Sequence, residues 1–113
     1  MKDVIYTDRV KQDPEEYAAL QAATEILEEV STRSGESVTA EWDKTSDPHG
    51  GPAYVLRLSD WSGSATAIFA PKNLELSNLL WARMYRLWGD LLENRSHRLS
   101  AEMASSASAG GEE

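Results

Sequence analysis

An α+β fold in the order α-β-β-β-α is predicted by three changes of apolar period along the chain. Apolar residues recur at helical spacing from Pro14 to Val30, alternate one-in-two from Glu36 to Ala70, and return to helical spacing from Asn73 to about Leu99. The expected architecture is a three-stranded antiparallel sheet covered by two helices, or a four-stranded one if residues 4–6 join its edge. With 113 residues, 41% of them hydrophobic, the chain is expected to form one domain that buries roughly 65% of its unfolded surface. Its expected organisation is an N-terminal arm over residues 1–12, the α+β domain over 13–99, and a small, polar, acidic tail over 100–113 with nothing to bury, read as disordered.

Val4, Ile5 and Tyr6 form a short β-prone run between charged neighbours. Asp13-Pro14-Glu15-Glu16 is a helix start: the Asp carboxylate caps free amides, Pro is pre-set in φ, and both Glu complement the helix dipole. Tyr17, Leu20, Ala23, Ile26, Leu27 and Val30 then share one side and Gln21, Glu25, Glu28 and Glu29 the other, with Gly35 placed as the left-handed residue past the helix end. Val38, Ala40 and Trp42 alternate with Ser37, Thr39, Glu41 and Asp43 as a strand with one wet face. A loop from Ser46 to Pro52 leads to a second strand over Ala53–Asp60, and a third covers Ala65–Ala70. Asp60-Trp61-Ser62-Gly63 suits a three-residue hairpin loop with Gly63 in a left-handed bulge, a register that opposes Leu58 to Thr66, Leu56 to Ile68 and Val55 to Phe69. Asn73 is the expected cap of the last helix.

That last helix dominates the chain. One aliphatic stripe (Leu76, Leu80, Met84, Leu87, Leu91) lies beside a mostly aromatic one (Leu74, Trp81, Tyr85, Trp88, Leu92), and together they cover about half the circumference. A helix seated on one core needs only a stripe of roughly 100°. The aliphatic stripe belongs on the sheet; the aromatic one meets either the first helix or a second chain. Gly89, at its margin, costs about 1 kcal/mol relative to Ala inside a helix, which calls for a close backbone neighbour or a loosened helix end.

The net charge of −8 and a sequence pI near 4.7 oppose binding to phosphate backbones and to anionic membranes. Nucleic acid and membrane are therefore not expected partners. The chain has no cysteine, hence no disulfide framework, thiolate nucleophile or thiolate metal site. Residues 1–16 lack the apolar segment of a secretory signal, no later run approaches the ~18 apolar residues of a membrane span, and a cytoplasmic location is expected.

Asp43, Asp47 and His49 are the residue types of a divalent-metal site, beside Gly50-Gly51. Turn chemistry explains Asp, Pro and Gly here more simply, and neighbours within a turn rarely converge as a Ser46-Asp47-His49 triad would require. No catalytic residue, metal or cofactor is assigned. Arg95, His97 and Arg98 fit a helix C-terminus through the macrodipole, and Arg86 with Asp90 fits an exposed pair worth about 0.3 kcal/mol. Among four tryptophans, Trp42 and Trp88 suit a core, whereas Trp61 at a hairpin tip suits an exposed contact.

The order of one helix, three strands and a second helix resembles double-stranded RNA-binding domains. Such domains carry basic residues at the start of the second helix, where this chain has only Lys72, and their first helix approaches RNA, where this chain has Glu25, Glu28 and Glu29. The resemblance is one of element order. In size, acidity and α/β make-up the chain is also similar to small acidic bacterial chaperones that dimerise and bind an unfolded segment of an effector. No motif carries either likeness to a family. The expected function is a non-enzymatic, chaperone-like adaptor that homodimerises through its last helix and offers Trp61, Trp81, Tyr85, Trp88 and Leu92 to protein, with a basic partner favoured by its charge. Two alternatives differ in class: an acidic inhibitor that occludes a nucleic-acid-binding site on a target, and a metal-dependent hydrolase built on the Asp43–His49 loop.

Overall fold

A computed structural model describes residues 1–32 and 36–111, with side chains as far as residue 104. In chain order the elements are β1 (Asp3–Tyr6), α1 (Asp8–Lys11), α2 (Pro14–Ser31), β2 (Thr39–Ser46), β3 (Pro52–Asp60), β4 (Gly63–Phe69), α3 (Pro71–Glu75) and α4 (Ser77–Gly111). The class is α+β. The sheet is mixed, however, because β1 runs parallel to β2 while β2, β3 and β4 pair antiparallel in spatial order β1-β2-β3-β4. The reason is topological: α2 carries the chain back across the sheet between β1 and β2, and a strand, one return helix and a neighbouring strand end up pointing the same way. Residues 4–6 thus join the sheet, in a direction that their own β-propensity does not specify.

The Asp13 cap forms as its chemistry requires, its Oδ1 accepting from the amides of Glu15 (2.9 Å) and Glu16 (3.4 Å). At the other end, α2 closes at Ser31 and Thr32 takes a positive φ of 49°; the expected Gly35 terminator lies outside the described residues. The hairpin also departs from expectation. Asp60 opposes Gly63 directly, so the loop is two residues, Trp61 and Ser62, and Tyr54 faces Phe69 where Val55 was expected. A one-residue slip exchanges the faces of a strand. The observed register sends Phe69 into the core and Ile68 out to solvent at 56% exposure, which buries the larger ring. Asp60 tightens the turn by accepting from the Ser62 amide (2.8 Å) and hydroxyl (2.6 Å).

The last helix is interrupted near its start. Leu76, at φ −102° and ψ 101°, is extended and separates α3 from α4, and Asn73 caps α3 by accepting from the Ala70 amide (2.8 Å) rather than starting the long helix. Leu76 leaves the expected aliphatic stripe and is 51% exposed, while Leu74 packs against the core. The described chain therefore has four helices, two of them short, where two were expected. At its far end α4 continues through Gly111, past the Leu99 at which the sequence pattern stops, and residues 96–104 are all exposed. The Arg95-His97-Arg98 group consequently sits inside the helix, which overturns its reading as a macrodipole terminus.

Both long helices lie on one face of the sheet. Leu20, Ala23 and Leu27 of α2 and Leu80, Met84, Leu87 and Leu91 of α4 meet Trp42, Leu56, Leu58 and Phe69 in one cluster, which Val10 of α1 completes. At its centre is a fully satisfied hydroxyl. Thr24 Oγ1 donates to the Leu20 carbonyl (2.8 Å), accepts from the Trp42 indole (2.9 Å), and, its single proton being used, accepts from the Tyr6 hydroxyl (3.0 Å). One buried Thr thus ties α2 to β1 and β2.

Candidate protein interface

Helix α4 divides its surface among the sheet core, the β4 edge, α2 and solvent. Leu80, Met84, Leu87 and Leu91 sit on the sheet. A second flank meets the free edge of β4, where Arg83 Nη2 donates to the Ile68 carbonyl with its guanidinium 5.1 Å from the Phe69 ring, and Asn94 donates to the Ser64 carbonyl (2.9 Å). These contacts satisfy carbonyls that an edge strand otherwise leaves open. A further flank packs against α2, and what is left faces solvent. It carries Tyr85 at 60% exposure and Leu92 at 40%, with Trp81 half-buried beside Tyr85 at 5.9 Å between ring centroids.

The five residues expected to bind protein are thus separated by the fold. Trp88 is only 6% exposed and packs in the core under the Arg95 guanidinium, 5.2 Å from its ring, so it offers no free surface. Trp81, Tyr85 and Leu92 remain on one side of α4. Trp61 stands at the tip of the two-residue hairpin loop, 54% exposed.

One buried ion pair joins that hairpin to α4. Arg95 Nε donates to Asp60 Oδ2 at 2.7 Å, and the Asp60 side chain is fully shielded from solvent. Burial pushes the Asp60 carboxyl up, but the Ser62 hydroxyl, Arg95 and the Ser62 amide outweigh it and hold the group below the usual carboxylate range. Asp43 behaves alike. Its burial is outweighed by the Thr7 hydroxyl (2.8 Å), the Lys44 amide (2.8 Å) and Arg9 (3.0 Å). At the opposite end of the sheet, burial and the neighbouring Glu16 carboxylate push the Tyr54 hydroxyl up to about 12, and Lys44 Nζ donates to the same Glu16 at 2.6 Å.

No protein-family model, curated protein or solved structure matches this chain.

The Asp43–His49 loop is held by local bonds. Asp43 faces Thr7 and Arg9, whereas Asp47 accepts from the amides of His49 (2.8 Å) and Gly51 (2.9 Å), as a turn residue does. Among the described residues, no three His, Asp or Glu side chains gather as a metal would need. None of the described helices is long and apolar enough to cross a membrane. His97 lies 3.7 Å from Glu93, one turn earlier on the exposed surface of α4. Arg86 makes no ion pair or hydrogen bond among the described residues, so the expected Arg86–Asp90 pair is not formed. A Cβ added at Gly89 would meet nothing within 4 Å, so no other element among the described residues packs closely on it. Sequence reasoning missed Val10, Thr24 and the Asp60–Arg95 pair. Val10 carried a weak signal as the one aliphatic residue of its segment; the pair carried none, its members being 35 positions apart.

Proposed function

We propose that this chain is a non-enzymatic protein-binding adaptor, chaperone-like in character, that self-associates through α4 and engages a basic partner with its acidic surface. The observation that carries the reading is the solvent-facing side of α4, where Tyr85 and Leu92 are exposed although neither is needed by the core. Large exposed apolar side chains aligned on one helix face mark interaction surfaces. Glu25, Glu28 and Glu29, exposed on α2, supply the acidic side, and Trp61 adds an aromatic of the type enriched at binding hot spots.

Light scattering is expected to give the mass of a dimer, and Tyr85→Glu with Leu92→Glu a folded monomer with unchanged circular dichroism. A wild-type monomer at high concentration overturns self-association. The exposed carboxylates of α2 also favour a second reading, an acidic inhibitor that covers a nucleic-acid-binding site on its target. Partner affinity that collapses with salt and survives Trp61→Ala supports the inhibitor; affinity that is lost on Trp61→Ala and persists in part at high salt supports the adaptor.

A further inference from the structure

The exposed side of α4 carries a heptad that the core does not use. Small residues recur every seven positions at Ala82, Gly89 and Ser96, and large ones at Tyr85, Leu92 and Leu99, all six exposed. The steps between them alternate three and four, the spacing of a coiled-coil seam, and Met103 continues it. Over roughly 32 Å of helix at 1.5 Å per residue, this seam contains no charged residue. The stripe buried on the sheet, Leu80 to Leu91, lies on nearly the opposite side of the same helix.

We infer that the partner for this seam is the α4 of a second copy, packed antiparallel about a two-fold axis near residues 90 and 91. The inference rests on the self-association proposed above and names its geometry. In that register Ala82 meets Leu99, Tyr85 meets Ser96, and Gly89 meets Leu92, and the axis repeats each contact. Every layer sets a small residue against a large one, which lets the two backbones approach closely and fills the space between them. The bordering charges agree: Arg86, without an ion-pair partner among the described residues, faces Glu93 of the second copy, twice over. Gly89 then gains a close neighbour, where among the described residues an added Cβ meets nothing within 4 Å. Trp88, buried in the monomer, takes no part.

Three sets of variants test this. Gly89→Leu adds a side chain into open space in the monomer, so it is expected to keep the circular dichroism and melting cooperativity of a folded chain while sedimenting as a monomer. Arg86→Glu and Glu93→Arg are each expected to weaken dimerisation roughly tenfold, and the two together in one chain to restore it. Because the chain has no native cysteine, Tyr85→Cys with Ser96→Cys should cross-link on oxidation, whereas Ser96→Cys alone should not. A dimer that survives Gly89→Leu, or one that cross-links through Ser96→Cys alone as a parallel pair would, overturns the antiparallel seam and leaves self-association standing. A wild-type monomer at high concentration overturns both.

Discussion

The Thr24 hydroxyl has one proton and two lone pairs, and all three are engaged inside the core. Replacing it with the near-isosteric Val leaves the Trp42 indole N–H buried without an acceptor, and an orphaned buried donor costs about 1–3 kcal/mol. Thr24→Val is therefore expected to lower the urea midpoint by the equivalent of about 2 kcal/mol, with Trp42 fluorescence reporting the same transition. Asp60 makes a different kind of prediction. Its carboxyl ionises below the ordinary range in the folded chain and near 3.9 in an unfolded one. Its stabilisation is thus fully present above about pH 4 and is lost as the pH falls through the folded value. Stability is expected to decline on acidification below about pH 4, and Asp60→Asn to show a shallower decline in urea titrations over that window. None of these groups was legible as a centre from the sequence. Thr24 sits among α2 residues of apolar pattern, and what makes it central is the convergence of Tyr6 and Trp42 from two other elements.

Elements formed largely as local chemistry specified, and their junctions did not. The Asp13-Pro14 start of α2, the positive φ at Gly63 and the end of the sheet at Pro71 each follow from the residue on the spot. The hairpin register and the break at Leu76 depend on which side chains the core accepts, Phe69 over Ile68 and Leu74 over Leu76. Along the β4 edge, Arg83 combines a hydrogen bond to the Ile68 carbonyl with stacking on Phe69. One guanidinium supplies both at once, its charge over the ring and an N–H at the carbonyl, which a single ammonium does less well. Arg83→Ala is expected to cost about 1–2 kcal/mol in thermal unfolding, and Arg83→Lys to recover little of it; full recovery by Lys would mean that charge alone matters there.

Taken whole, the molecule is a one-sided sandwich with a long helix that extends past it, drawn out to 61 × 30 × 24 Å. Each copy carries a net charge of −8, so two copies repel at long range whatever their seam gains at contact. Screening removes that repulsion, with a Debye length of about 10 Å at 0.1 M salt and about 3 Å at 1 M. Dimerisation is accordingly expected to tighten as salt rises from about 0.05 M to 0.5 M, as sedimentation equilibrium would measure, while binding to a basic partner weakens over the same range. A dimer that loosens with salt would place the controlling charges in the Arg86–Glu93 pairs rather than in the net field.

Local pattern determined the class, the position of nearly every strand and long helix, and the apolar excess of the last helix, because period, capping and turn chemistry act over a few neighbouring residues. The tertiary structure alone decided that β1 runs parallel, that Trp88 is core while Tyr85 and Leu92 are surface, and that Gly89 faces open space. Those outcomes depend on which surface each face meets once α2 and α4 lie side by side, and residues far apart in sequence set that contact. The aromatic stripe that looked uniform along the chain was divided by it: its Trp88 side turned into the fold, and its Tyr85 and Leu92 side was left exposed.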